Sequence, residues 1–295
     1  MTIKHLTYKQ IDFDKYDACI NNAYNFRIYA LSWYLDIVTN KDWEVLVVED
    51  YKVVMPIPYK RIKKRFFRRM VEQPLFCQQL GVFSELKLTN THDFIREFEK
   101  LPVNTYSFNA DNIDILANLF FERSNFELDL NTDYRTIKQN YSKNLKRNIK
   151  KGIKSELEII ETISLDDFIY LKKKNSKNKI RNYQLQTLKK LIKTLIDKDF
   201  GEFYGVKKEH DIIAITFIIK SKKRLIYLES VSNLSGRKHG AMSFIIDFII
   251  SKNTNRAVVF DFEGSTIESI ARFFKGFGAK NNSYLAVTSN TPKHS

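Results

Sequence analysis

Cysteine, proline, glycine and long apolar runs are all scarce here. Two cysteines, Cys19 and Cys77, among 295 residues cannot build a disulfide framework or a cysteine-rich zinc site, and no metal ligand set is expected. Both thiols are expected to be reduced, as in a reducing compartment. Nine glycines and five prolines leave no low-complexity linker. The most apolar run near the end of the chain, residues 244–250, is short and contains Asp247. A spanning helix needs about 20 apolar residues, so no transmembrane segment is expected. The first residues, MTIKHLTYKQ, lack an apolar core and a small-residue cleavage site, so no signal peptide is expected either. These absences predict a cytoplasmic protein, free or peripheral at the inner membrane. No zinc-finger, RRM or KH pattern supports sequence-specific nucleic-acid readout.

What the chain does have is enough apolar material for a core: 43% hydrophobic against 28% charged residues. Its length suggests two domains at about 150 residues each. Lys and Arg number 49 against 34 Asp and Glu, a net +15 that favours anionic partners.

Short β-rich runs alternate with amphipathic segments, the pattern of an α/β (α+β) protein. Residues 43–48 and 52–57 read as a hairpin, with Pro56 and Pro58 pushing its second strand toward an edge or a splayed end because proline donates no ladder bond. A basic stretch at 60–69 precedes a strand-like 71–80, a helix at 92–100, a strand at 106–109, a helix at 113–123 and a strand at 126–130. The second half reads as a strand at 157–161, helices at 165–173 and 183–198, a hairpin of 202–206 with 212–220, and a strand at 225–231. A helix at 241–251, a strand at 257–262, a helix at 266–275 and a strand at 283–288 follow. The order of elements therefore occurs twice, with a boundary near Asn131 and domains at 1–130 and 131–295.

The second-half order resembles that of GNAT acyltransferases. Arg237-Lys238-His239-Gly240-Ala241 partly matches the GNAT (Gln/Arg)-x-x-Gly-x-(Gly/Ala) loop, with Met242 at the last position. The run VFDFEGS at 259–265 followed by IARFFKGFGA at 270–279 resembles FemAB-like transferases, and YSKNLKRNIKKG at 141–152 resembles a basic stretch of that family. The resemblance implies two tandem GNAT-like domains, each a mixed, largely antiparallel sheet flanked by helices. It implies an N-acyltransferase that moves an acyl or aminoacyl group from acyl-CoA or aminoacyl-tRNA, as co-substrate, to an amine. The acceptor would be a small-molecule or lipid-linked cell-envelope precursor, and no permanently bound cofactor is needed. The first domain would shape the acceptor groove. The second would hold the donor on Arg237, Lys238, His239, Gly240 and Ala241, because backbone amides at a helix start bind anions. The tyrosine with which many GNAT enzymes protonate a leaving thiolate aligns with Phe274, which has no proton to give. A non-catalytic binding protein on the same fold is the alternative, and a nucleic-acid-binding module resting on charge is the third.

Proton removal from an amine acceptor needs a base. Asp261 and Glu263 lie two apart near a strand end, where alternation would put both carboxylates on one face. The alternative is a solvated strand end with Glu263 capping the next helix. Glu229, in the 225–231 strand, is the reserve; its alternative is an outward-facing strand residue. Gln78 and Gln79 supply amides suited to an acceptor groove. Cys77 has no histidine near it in sequence and is a poor nucleophile candidate. In YKRIKKRFFRR at 59–69, Lys63, Lys64 and Arg65 interleave with phenylalanines, suiting an anionic membrane surface or tRNA. The basic helical run 138–154 reads most simply as a solvated lysine face.

Overall fold

The computed structural model describes residues 2–62, 68–87, 92–115, 120–175 and 180–289. The chain divides into two compact units, 1–123 with 283–295, and 124–282.

In the first unit, β1 (Lys4–Leu6), β2 (Trp43–Val48), β3 (Val53–Ile62) and β4 (Arg68–Val71) follow one another in an antiparallel sheet, with β5 (Phe83–Ser84) also on β3. β6 (Thr105–Ser107) is linked to β4 through a parallel bridge between Val71 and Val103. It pairs antiparallel with the last strand of the chain, β15 (Tyr284–Thr288), which in turn pairs with β7 (Phe121–Arg123). Helices α1 (Phe13–Asn22), α2 (Ser32–Thr39) and α3 (His92–Glu99) complete the unit around a core rich in Trp43, Tyr16, Tyr34, Phe83 and Phe98.

The second unit runs through β8 (Phe126–Asp129), α4 (Tyr134–Gln139), α5 (Lys143–Lys154), β9 (Glu158–Ile160), α6 (Leu165–Asn175) and α7 (Asn182–Asp197). Then come β10 (Gly201–Lys208), β11 (Asp211–Ser221), β12 (Arg224–Ser232), α8 (Leu234–His239), α9 (Ala241–Lys252), β13 (Val259–Asp261), α10 (Glu268–Lys275) and β14 (Lys280–Asn281). Its seven strands lie in the order β14-β8-β13-β12-β11-β10-β9, antiparallel except for β12 with β13. β12 is the central strand, and β11 beside it is internal. Residues 213–219 are all buried because both faces are covered. Adjacent β10 residues show the two layers: Phe203 packs on Phe168 of α6, and Tyr204 on Phe248 of α9.

The two orders match strand for strand. In each unit a four-strand antiparallel meander meets a parallel neighbour, then an antiparallel strand, then an edge strand. In each, the strand beside the parallel neighbour comes from elsewhere in the chain: β15 from the C-terminus enters the first unit, and β8 enters the second ahead of that unit's other strands. This corrects the expected boundary at 130/131. Residues 126–129 read as the end of the first half, yet their hydrogen bonds go to β13 and β14; residues 284–288 bond to β6 and β7.

Three further expectations change. Residues 71–80 are not one strand. β4 stops at Val71, the chain leaves the sheet, and β5 resumes beside β3 at Phe83. β3 is internal, not an edge. Pro56 and Pro58 face the gap between β4 and β5, where no ladder donor is required; their carbonyls accept from the Tyr106 hydroxyl (2.9 Å) and the Glu72 amide (3.0 Å) instead. Finally, Phe121–Arg123 is a strand where a helix over 113–123 was expected, because β15 offers it a partner distant in sequence. Among the described residues no helix is long and apolar enough to cross a membrane.

Candidate functional site

The second unit builds its candidate site around β12. This strand pairs with β13 only over Arg224–Ile226, opposite Val259–Asp261. Its remaining residues have no strand partner on that edge among the described residues. On its other edge the register with β11 slips between Phe217 and Ile218, so Glu229 faces Phe217 while Tyr227 faces Ile218, and Leu228 is the extra residue. Thr216, wholly buried, donates its hydroxyl to the Glu229 carbonyl at 3.1 Å and pins the irregularity. Tyr227 stands edge-on to Phe274 (6.0 Å) within a cluster that includes Phe260 and Phe262. Phe274 is 5% exposed, a core residue of that cluster.

The expected donor loop is a short helix and a hinge. Residues 234–239 form α8, capped by the Asn233 side chain, which accepts from the Gly236 amide at 2.8 Å. Gly236 touches β11 so closely that a Cβ would lie 2.4 Å from the Ile213 carbonyl oxygen. Gly240 has φ +71° and both ends α8 and starts α9; a Cβ there would meet the Asn148 carbonyl oxygen of α5 at 2.6 Å. Ala241 is buried, so it packs and does not contact solvent. Arg237 and Lys238 are exposed, with the Arg237 guanidinium donating to the Ser232 carbonyl. His239 shares a hydrogen bond with Ser155 (2.8 Å), and desolvation, then Lys208, Lys238 and Lys151, hold its pKa below the usual value.

α5 lies against α8 and α9. Leu145, Ile149 and Gly152 form its buried face, and the absence of a side chain at Gly152 admits Phe244 of α9. Its outer face carries Lys143, Lys146, Arg147, Lys150, Lys151 and Lys154, all exposed. This spacing makes one stripe along a 12-residue helix, about 18 Å long. Among the described residues none of these cations has a carboxylate partner; Lys146 donates to the Gln139 carbonyl and Arg147 to the Asn144 side chain.

The three carboxylates do not form one group. β13 ends at Asp261, and Glu263 has φ +57°, so strand alternation no longer relates them and the expected shared face is lost. Asp261 is 2% exposed and takes the Arg224 guanidinium at 2.8 Å and the Glu263 amide at 2.9 Å. Arg224 also grips Glu127 at 2.6 Å; burial works against its charge, but Asp261 and Glu127 outweigh it and raise its pKa. This triad joins β12, β13 and β8. Glu229 is separate, paired with Lys172 of α6 at 2.6 Å and partly accessible. Sequence reasoning missed Lys172, Arg224 and Glu127. Each lies on a different element, Lys172 and Arg224 within runs of three cations that single out neither, and only the fold brings it to its partner.

In the first unit, Gln79 is 1% exposed; its carbonyl takes the Ala110 amide (3.0 Å), and its amide donates to Gln78 (2.9 Å). It fixes the excursion between β4 and β5, a structural task that the groove expectation did not foresee. Lys63, Lys64 and Arg65 lie outside the described residues. Of the flanking basic stretch, Arg69 is bound to Asp42 and Glu44, both at 2.8 Å, and lies over the Tyr59 ring.

A seven-strand order with one parallel junction and a half-unpaired fourth strand, whose strand order the first unit repeats, is the decisive geometry. The chain has the tandem GNAT, FemAB-like fold. It is similar to the crystal structure of FemX, with a TM-score of 0.65 over 97% of both chains at 10% identity. It is also similar to the C-terminal domain of a putative lysylphosphatidylglycerol synthetase from Agrobacterium fabrum (TM-score 0.55, 9% identity, 95% of this chain and 92% of that one). A third is L-PGS from Bacillus licheniformis (TM-score 0.54, 11% identity, 94% and 91%). These likenesses are of fold. No family profile matches the chain, and no curated protein matches it by sequence.

Proposed function

We propose that the chain is an aminoacyltransferase that moves an aminoacyl group from tRNA to an amine of a cell-envelope precursor. The observation that carries this reading is the α5 stripe: six exposed cations without carboxylate partners, beside the α8–α9 hinge. Such a row matches the spacing and sign of a polynucleotide backbone. A compact CoA pyrophosphate would need only the hinge. Phe274 adds support. A thioester donor releases a thiolate that many GNAT enzymes protonate with tyrosine, whereas an aminoacyl ester releases a ribose oxygen. One of the similar structures is named a putative lysylphosphatidylglycerol synthetase, after an aminoacylated lipid, which accords with an envelope acceptor.

In the reaction the acceptor amine attacks the ester carbonyl, the carbon–oxygen bond to ribose breaks, the amine gives up a proton and the ribose oxygen gains one. Both carboxylates hold a cation, but Asp261 is 2% exposed and Glu229 22%, so Glu229 is the base this reading favours. It stands at the irregularity of β12, partly accessible, with Lys172 orienting its carboxylate.

The test is transfer from a mixed aminoacyl-tRNA pool to amine acceptors, alongside filter binding of tRNA at several salt concentrations. Expected are tRNA binding that weakens steeply with salt and an activity that Glu229→Gln lowers by about 10²–10⁴-fold. Turnover of acyl-CoA with no affinity for tRNA would overturn the reading.

A further inference from the structure

A cavity of about 370 Å³ opens at the other end of the second unit's sheet. It is framed by the start of β12 (Leu225), the end of β11 (Lys220), the β11–β12 turn (Lys222), β10 (Tyr204), the last residue of α9 (Lys252) and the segment after it (Arg256). Four cations line it against one carboxylate, Glu202. That carboxylate is occupied: Tyr204 donates its hydroxyl to it, and Lys220 lies 3.4 Å away. Lys220 also reaches Asp199 (3.2 Å), and Lys252 reaches Glu161. Arg256 has no carboxylate partner among the described residues; it donates to the Asn253 side-chain oxygen at 2.6 Å. Lys222, Lys252 and Arg256 are exposed at the mouth, while Tyr204 and Leu225 are buried beneath.

We propose that this cavity binds an organic phosphate, with the phosphate on Lys222, Lys252 and Arg256 and the organic part over Tyr204, Leu225 and Val258. A cationic mouth above an apolar floor suits a charged group attached to a less polar body, and the volume fits a ligand of small-metabolite size. The site is separate from the α8–α9 hinge. β12 runs from Leu225 at the cavity to Ser232 before α8, about 23 Å of strand, so one phosphate cannot serve both ends. The inference does not depend on the donor proposed above. The same chemistry is offered by a soluble phosphate ester and by a phospholipid headgroup.

The experiment titrates the full chain with adenosine 5′-monophosphate and glycerol 3-phosphate by calorimetry and 31P NMR. Sedimentation with phosphatidylglycerol vesicles runs in parallel. The test variant is Lys222→Ser with Arg256→Ser, both exposed; Lys190→Ser with Lys193→Ser, exposed on α7 and outside both proposed sites, is the control. Expected is binding of at least one soluble ester at roughly millimolar affinity or better, weakened at least tenfold in the test variant and unchanged in the control. Vesicle binding lost in the same variant and competed by glycerol 3-phosphate assigns the ligand to a headgroup; ester binding without vesicle binding assigns it to a soluble metabolite. Either supports the proposal. It is overturned if neither esters nor vesicles bind, or if the test variant binds as the unaltered chain does. Activity with aminoacyl-tRNA, measured separately, distinguishes this failure from failure of the proposed function.

Discussion

Asp261→Ala separates a structural carboxylate from a catalytic one. Asp261 is 2% exposed, Arg224 17% and Glu127 14%, so the triad sits largely out of water. Removing one partner of a buried ion pair costs about 3–5 kcal/mol. Glu127 remains on Arg224, which places the loss near the lower end, about 3 kcal/mol. The Glu263 amide also loses its acceptor, adding about 1 kcal/mol. For a unit of this size each kcal/mol lowers Tm by about 2–4 °C, so the expected drop is roughly 8–16 °C. Arg224→Met should be worse, because it strands two buried carboxylates. The double variant should lose less than the sum, with a coupling of about 1–3 kcal/mol. Thermal and urea unfolding followed by circular dichroism measure all three. An Asp261→Ala protein that unfolds within 2 °C of the unaltered chain, roughly the shift of 1 kcal/mol, would refute the triad argument. If its transfer activity also vanished, Asp261 would be a catalytic residue instead.

Other outcomes are expected. Gly236→Ala forces a methyl against the Ile213 carbonyl and should destabilise the second unit by about 1–3 kcal/mol, read by urea unfolding. Phe274→Tyr buries a hydroxyl in an aromatic cluster and should lower stability by about 1–3 kcal/mol without raising transfer; a faster reaction would point to a leaving thiolate. His239 should titrate below 6.5 by NMR. Its depressed pKa means that the folded state favours neutral imidazole, so this contribution is present above 6.5 and is lost as pH falls through the folded value. Added tRNA should raise that midpoint by screening the neighbouring lysines; an unmoved midpoint counts against docking beside α8. Burial, with Glu85 second, pushes the Cys19 thiol up to about 11, so Ellman's reagent should react with it slowly at pH 8.

Much of the second unit was written locally. Leu185, Leu188, Leu191, Ile192 and Leu195 recur at helical spacing, and all face the core in α7. The apolar run 212–219 of β11, interrupted only by Thr216, suits a strand covered on both faces. The α5 cations were visible as well, since alternation of Leu145 and Ile149 with lysines is a short-range pattern. Decisions that rest on distant partners were not legible. Whether 126–129 and 284–288 belonged to the nearer or the farther unit depended on which sheet edge offered hydrogen bonds, and no local propensity encodes that. The prolines of β3 looked like edge markers until the break between β4 and β5 gave them an open side. Asp261 and Glu263 looked like a pair because strand alternation was extended two residues too far, past the end of β13 and through a left-handed residue. The roles of Asp261 and Glu229 came only with Arg224, Glu127 and Lys172, brought from other elements. Periodicity sets which face of an element is buried, but the partner of a buried charge is set by the tertiary packing that removes water from around it.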